Sequence, residues 1–174
     1  MAPKVLVADD HPLFREALRL ALGRALPDAT VVEADSVAAL TEAVERNADA
    51  DLLLLDLNMP GAQGFSALVQ VRAHQPSLPV VIISANEDPT VVRRAIAHGA
   101  AGFVPKSSTV EEMVHALRAV LDGDLWVPEG VDLDSPALED GEAEIAARLA
   151  TLTPQQFRVL TMLSSGLLNK QIAW

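Results

Sequence analysis

The chain has 174 residues, a length that allows one domain of ordinary size and part of a second. Half of the residues are apolar, so a hydrophobic core can form, and only 3% are aromatic. The absence of cysteine excludes disulfides, thiolate zinc sites and thiol nucleophiles. The N-terminus lacks the pattern of a signal peptide, and the longest apolar run, residues 52–55, is far too short to span a membrane. These features predict a soluble cytoplasmic protein.

The formal net charge is −11 at pH 7, and this charge is unevenly distributed. Residues 123–150 contain eight acidic residues and one basic residue, which predicts an acidic, solvated linker. Residues 151–174 contain Arg158 and Lys170 and no acidic residue, and the change of sign indicates a separate module. A chain this acidic is a poor nucleic-acid binder as a whole, because affinity for phosphates depends on Lys and Arg.

Short apolar runs alternate with helical patterns along residues 1–122. The runs predict buried strands at residues 5–8, 52–55 and 80–83, with weaker strands at 30–34 and 102–104. Helical spacing predicts helices that begin at Pro12 and at Val110, the latter with Ser107 or Ser108 as its N-cap, and three more at residues 36–47, 64–74 and 88–98. This alternation predicts an open parallel sheet with helices on both faces.

Polar side chains follow four of the five predicted strands. Asp9 and Asp10 follow the first strand, Asp56 the third, Ser84 the fourth and Lys106 the fifth. Functional groups of such sheets lie beyond the carboxyl ends of the strands, so we expect these side chains to share one edge. Two carboxylates about 4 Å apart near a protein surface repel each other by about 4 kcal/mol, so three of them require a cation. Carboxylate oxygens favour Mg²⁺.

The same edge suggests chemistry with a phosphoryl group. A carboxylate can itself take up phosphate as an acyl phosphate, and Asp56, on the central strand, is best placed to do so. The ammonium of Lys106 and the hydroxyl of Ser84 would hold the remaining phosphoryl oxygens.

Several segments of the sequence resemble the receiver domain of bacterial response regulators. They are residues 4–12, 56–61, 84–85 and 99–106, and the resemblance covers about residues 3–122. It implies a flavodoxin-like doubly wound (βα)5 parallel sheet with the strand order 2-1-3-4-5. It also implies that the chain is not an enzyme, apart from Mg²⁺-dependent self-phosphorylation from a phosphodonor and slow self-dephosphorylation.

The resemblance assigns a role to each residue at the predicted edge. Asp56 would accept the phosphoryl group from a histidine kinase. Asp10 and Asp56 would ligate Mg²⁺ together with the backbone carbonyl of Asn58, while Asp9 would act through water. Lys106 would contact the phosphoryl group.

The resemblance also implies a conformational switch. Ser84 would move toward the phosphoryl group, and Phe103 would turn inward as the coupled aromatic residue. Asn58 and Asn86 would tune the lifetime of the acyl phosphate. The loop after Asp56 would be shaped by two glycines, Gly61 and Gly64.

The end of the chain resembles the start of the LuxR-type helix-turn-helix of NarL/FixJ regulators, over residues 152–160 and 166–173. Thr153 is a predicted N-cap, with Pro154 at the first helical position and Gln156 at capping-box spacing. The recognition helix that would read bases is missing at Trp174, so we expect no specific DNA binding by this chain, although the intact protein would bind DNA. We also expect its exposed apolar side chains to dock on the receiver or on another chain: Phe157, Leu160, Met162, Leu163, Leu167, Ile172 and Trp174.

The predicted organisation is a receiver domain at residues 1–122, an acidic linker at 123–150 and part of an all-α helix-turn-helix domain at 151–174. The predicted function is phosphorylation-dependent control of transcription, with a possible phosphorylation-dependent homodimer and no membrane partner. One alternative is a receiver that acts as a phosphate relay or protein-interaction module without DNA output.

Two further alternatives belong to other protein classes. An aspartyl-nucleophile hydrolase usually carries a second acid two residues after its nucleophile, whereas this chain has Asn58 there. A flavin-binding electron carrier would cradle phosphate after the first strand, where Asp9 and Asp10 would repel it.

Overall fold

The structure, a computed structural model, describes residues 2–135 and, further along the chain, residues 151, 153, 155, 156 and 159. The chain divides into two compact units, residues 1–137 and 138–174. In the second unit, the N–H of Gln156 donates to Oγ1 of Thr153 at 3.2 Å, and the N–H of Thr153 donates to Oε1 of Gln156 at 2.9 Å. These reciprocal bonds form the predicted capping box. Pro154 and the apolar residues expected to dock lie outside the described residues.

The first unit contains one parallel sheet of five strands in the order β2-β1-β3-β4-β5, which confirms the predicted fold class. The ends of each strand lie within one residue of their predicted positions, because each strand is a short apolar run between polar residues. The strands are β1 (Lys4–Ala8), β2 (Thr30–Ala34), β3 (Leu52–Asp56), β4 (Val80–Ser84) and β5 (Gly102–Pro105).

A helix follows each strand. The helices are α1 (Pro12–Ala25), α2 (Val37–Arg46), α3 (Ser66–His74), α4 (Pro89–Ala97) and α5 (Val110–Leu121). Ser36 and Asp88 cap α2 and α4 by accepting hydrogen bonds from the N–H groups of Ala39 and Thr90.

The predicted N-cap of α5 is wrong, because the cap is Thr109 and not Ser107 or Ser108. Thr109 and Glu112 form a reciprocal capping box, which satisfies two backbone N–H groups at once. Ser108 lies instead in the preceding turn, where its N–H donates to the carbonyl of Pro105 at 3.0 Å. The Glu three residues after Thr109 is the local signal that distinguishes the true cap.

The hydrophobic core forms two layers, one on each face of the sheet. Successive residues of a strand point to opposite faces, so Leu6 and Val7 of β1 lie in different layers. One layer packs under α2, α3 and α4 and includes Phe103; the other packs under α1 and α5. The strands β1, β3 and β4 are covered by helices on both faces, so the spacing between their carboxyl ends is fixed. The polar residues predicted to form the site lie at these ends.

The chain after α5 returns to the sheet. Trp126 forms a parallel bridge with Gly102 at the outer edge of β5, and its carbonyl accepts the N–H of Phe103 at 2.9 Å. Val127 and Val131 pack against one core layer and Trp126 against the other. The first part of the segment 123–150 therefore contacts the sheet and covers its free edge.

Candidate functional site

The strand register brings the predicted residues to one edge of the sheet. Asp9 directly follows β1, Asp56 is the last residue of β3, and Ser84 is the last residue of β4. Asp56 lies beside Ile83 in the β3–β4 pairing, and Ser84 lies beside Pro105 in the β4–β5 pairing, so Lys106 comes next. The parallel arrangement thus gathers residues that are nearly 100 positions apart in the sequence.

Three carboxylates and one imidazole meet in a small cluster. Ligand atoms of Asp9, Asp10, His11 and Asp56 all lie within 4.8 Å of one another. Asp9 and Asp56 are each only 1% exposed. At such separations carboxylates repel each other by about 4 kcal/mol at the effective dielectric of a protein surface, so the cluster needs positive charge.

Lys106 supplies one positive charge. Its Nζ lies 2.8 Å from Oδ2 of Asp56 and 2.8 Å from Oδ2 of Asp9. Burial lowers the pKa of Lys106, but the hydrogen bonds that it donates to Asp56 and Asp9, together with the negative charges of these acids, outweigh burial and raise the pKa above its ordinary value. Nζ also lies 4.9 Å from the centre of the Phe14 ring, a cation–π contact. Lys106 is therefore held charged between the two buried acids.

One positive charge does not neutralise three carboxylates, and the donor set fits a divalent cation. Oδ1 of Asp10 is a buried atom that accepts no hydrogen bond from any described residue. Oδ1 of Asp56 accepts the N–H of Asn58 at 3.0 Å, which turns the chain after β3 back over the cluster. Hard carboxylate oxygens suit Mg²⁺. The cluster can thus hold a divalent metal ion.

The loop between β1 and α1 is braced from both sides. The N–H of His11 donates to Oδ1 of Asp9 at 2.7 Å, and Nη1 of Arg15 donates to the carbonyl of Asp9 at 2.7 Å. Nε of Arg15 donates to Glu33 on β2 at 3.1 Å, and Glu33 also accepts from Arg19. These bonds orient the peptide between Asp9 and Asp10, and with it both carboxylates.

The predicted switch residues are Ser84, the last residue of β4, and Phe103, the second residue of β5. Ser84 is buried, and its Oγ accepts the N–H of Asn86 at 3.1 Å. Phe103 is fully buried in the core layer under α2, α3 and α4. Asn58 and Asn86 are both exposed beside the site. Gly61 and Gly64, in the loop after Asp56, have φ of 87° and 54°, a region that favours glycine.

Sequence reasoning missed three residues of the site: Phe14, Arg15 and His11. Helical spacing assigned Phe14 to the apolar stripe of α1, and nothing in the sequence pairs Arg15 with Asp9 or Glu33. His11 gives the strongest local signal, because it directly follows two acids at the end of a strand.

Comparison with known proteins agrees with this geometry. Residues 5–118 match the family described as the response regulator receiver domain. The chain is 38% identical over 176 residues to a glycerol metabolism activator of Pseudomonas putida, which covers 98% of this chain and 80% of that protein. It is 40% identical over 152 residues to a probable transcriptional regulatory protein NarL of Mycobacterium tuberculosis, covering 87% of this chain and 67% of that protein.

The fold also matches a solved structure of a regulator bound to DNA. RcsB of Salmonella enterica serovar Typhimurium, bound to a promoter in the presence of the phosphomimetic BeF₃⁻, superposes with a TM-score of 0.68 at 29% identity. The match covers 99% of this chain and 82% of that one.

The fold, the acidic edge and these matches define a receiver. The chain therefore belongs to the response regulator receiver family and, within it, to the NarL/FixJ type of transcriptional regulator. Its function is phosphorylation-dependent control of transcription, and a receiver without DNA output is not favoured. Response regulators are non-enzymatic signal transducers, and a receiver implies a histidine kinase partner. None of the helices among the described residues has the length and apolar character to cross a bilayer.

Proposed function

We propose that Asp56 accepts a phosphoryl group from a histidine kinase, with Mg²⁺ held by Asp10, Asp56 and the backbone carbonyl of Asn58, and with Asp9 acting through water. The observation that carries this proposal is the contact of Lys106 Nζ with Asp56 Oδ2 at 2.8 Å, inside the carboxylate cluster. An isolated acid of a turn would be solvated, whereas Asp56 is buried and faces a fixed ammonium.

The transfer forms one bond and breaks one bond. An oxygen of the Asp56 carboxylate attacks phosphorus, and the bond between phosphorus and the imidazole nitrogen of the kinase breaks, with its electron pair returning to that nitrogen. A divalent ion held by Asp10 and Asp56 would supply positive charge for the phosphoryl oxygens. Lys106 keeps its proton throughout and holds one of those oxygens by its charge. The same steps with a small acyl-phosphate donor give self-phosphorylation.

Ser84 and Phe103 respond to the new charge. The hydroxyl of Ser84 turns from its bond with the N–H of Asn86 to a phosphoryl oxygen, and this movement makes room beside buried Phe103. Asn58 and Asn86, exposed at the mouth of the site, set how readily water reaches the acyl phosphate and so set its lifetime.

The output lies in the remainder of the chain. We assign residues 1–122 to the receiver, 123–150 to the acidic linker and 151–174 to the beginning of a helix-turn-helix. RcsB, a structural relative, binds a promoter in the presence of a phosphomimetic and is described in complexes of dimers with DNA. By this likeness, phosphorylation would favour a homodimer that presents two DNA-binding domains to DNA.

Labelling by acetyl phosphate tests the acceptor. Wild type should gain a hydroxylamine-sensitive label that depends on Mg²⁺, and Asp56→Asn should gain none. Asp49→Asn is the matched control, because Asp49 is an exposed acid whose recorded ion pair among the described residues is with Lys4, and it should label like wild type. A hydroxylamine-sensitive label that persists in Asp56→Asn would place the acceptor on another residue.

A further inference from the structure

His11 points its ring at the carboxylate cluster. Its Nδ1 lies 3.0 Å from Oδ1 of Asp10, 3.2 Å from Oδ1 of Asp9 and 3.7 Å from Oδ2 of Asp56. One nitrogen atom thus approaches an oxygen of all three acids, whereas Nζ of Lys106 is recorded against only two of them, Asp9 and Asp56. The ring is 61% exposed, so it is free to adjust around an ion.

The contacts of Nδ1 place this nitrogen where a cation ligand would lie. Nζ of Lys106 lies 3.2 Å from Nδ1, a contact in which the ammonium donates and Nδ1 accepts, whereas in its contact with Oδ1 of Asp9, also at 3.2 Å, Nδ1 would donate. Oδ1 of Asp10, although 3.0 Å from Nδ1, accepts no hydrogen bond from any residue that the structure describes. In the tautomer that carries its proton on Nε2, Nδ1 presents a lone pair beside this unbonded carboxylate oxygen, as two ligands of one cation do.

The backbone holds His11 in this place. Its N–H is bound to Oδ1 of Asp9, and its carbonyl accepts the N–H groups of Phe14 and Arg15 in the first turn of α1. Pro12 fixes the chain on the other side as the first helical residue. Only the side chain of His11 has freedom to move, so its ring stays within reach of the cluster.

We propose that Nδ1 of His11 is a ligand of the bound cation, so that the site takes a divalent d-block ion such as Mn²⁺ more tightly than Mg²⁺. This inference rests on the proposed carboxylate site. Oxygen-only sites suit Mg²⁺, whereas imidazole nitrogen favours the first-row d-block ions. Neutral imidazole is also the commonest nitrogen ligand in proteins.

Electron spin echo spectroscopy of Mn²⁺ bound to the full chain tests the ligand directly. Wild type should show modulation from a coordinated ¹⁴N nucleus, and His11→Gln should lose it while still binding Mn²⁺ through the carboxylates. His115→Gln is the control, because His115 is an exposed residue of α5 outside the cluster, and it should keep the modulation. By calorimetry, the preference for Mn²⁺ over Mg²⁺ should fall roughly tenfold in His11→Gln and stay unchanged in His115→Gln.

The outcomes separate this inference from the proposed function. If Mn²⁺ binds wild type and is displaced by Mg²⁺ but its spectrum shows no ¹⁴N modulation, His11 is not a ligand, whereas the carboxylate site still stands. Mn²⁺ binding that Asp10→Asn and Asp56→Asn leave unchanged, or no binding at all, would overturn both. Absence of ¹⁴N modulation in wild type already overturns the role of His11 without any variant, and its loss in His11→Gln but not in His115→Gln assigns the signal to His11.

Discussion

The N–H of Phe103 donates a hydrogen bond to the carbonyl of Trp126 at 2.9 Å. This bond, with the bridge between Trp126 and Gly102, adds the chain after α5 to the free edge of β5. Phe103 is the predicted switch residue, and Trp126 lies in the segment that leads to the second unit. The backbone of the predicted switch residue Phe103 is thus hydrogen-bonded directly to the segment that follows α5.

Gly102→Ala should loosen that connection. A Cβ at Gly102 would lie 3.2 Å from the carbonyl oxygen of Trp126 and 3.1 Å from Cγ2 of Val120, closer than most real contacts. We expect a loss of about 1–3 kcal/mol of unfolding free energy, measured by urea denaturation, and faster hydrogen exchange at the N–H of Phe103. Gly23→Ala is the control, because a Cβ at Gly23, inside α1, meets nothing within 4 Å. This substitution should raise the free energy of unfolding by about 0.5–1 kcal/mol. Equal stability of the Gly102 variant and wild type would contradict the close approach.

Mg²⁺ should raise the melting temperature of the wild type, because it relieves the repulsion within the cluster. At 100 times the dissociation constant, a ligand of the folded state adds about 2.7 kcal/mol to stability. Asp10→Asn removes one carboxylate, so it should be more stable than wild type without metal and gain less from Mg²⁺. The exposed variant Asp49→Asn should gain as much as wild type. Calorimetric melts with and without Mg²⁺ measure these increments, and identical increments in all three proteins would argue against a cation at Asp10.

The contribution of Lys106 to stability should disappear at alkaline pH. The pKa of Lys106 is raised in the folded protein, so its favourable ion pairs are fully present below the unfolded pKa of about 10.4. They are lost as the pH rises through the folded pKa. Lys106→Met, which leaves the buried acids without their counter-ion, should be less stable than wild type at pH 8. The difference in unfolding free energy between wild type and Lys106→Met, measured by urea unfolding without Mg²⁺, should decrease above about pH 10.4. A difference that increases there would contradict the raised pKa of Lys106.

Arg15→Lys should weaken Mg²⁺ binding. Lysine keeps the positive charge but cannot reach both Glu33 and the carbonyl of Asp9 with one planar fork. Loss of such an outer contact typically weakens metal binding by roughly tenfold or more. Arg19→Lys is the matched control, because Arg19 contacts Glu33 and Glu16 but has no recorded bond to Asp9. Calorimetric titration gives the dissociation constant of Mg²⁺ for each variant. Equal constants for Arg15→Lys and Arg19→Lys would show that the contact of Arg15 with Asp9 does not affect metal binding.

Much of the fold was predictable because its signals are local. The runs in β1, β3 and β4 are apolar throughout, and a strand buried on both faces needs that pattern. Pro12 at the start of α1 and the pair Thr153 and Gln156 act within one helical turn. The N-cap of α5 was misplaced because three hydroxyl residues precede the helix, and only the partner Glu112 decides among them.

The sequence by itself determined the alternation of strands and helices and the acids, hydroxyl and lysine that follow the strands, since hydrophobic periodicity and chain order are written along the chain. Only the tertiary structure decided that Lys106 lies 2.8 Å from both Asp9 and Asp56, and that the ring of His11 faces the same cluster. The position of Trp126 beside β5 was likewise decided only by the tertiary structure. Such contacts depend on how parallel strands align and how helices pack over them, and that alignment is set by the whole core rather than by any local run of residues.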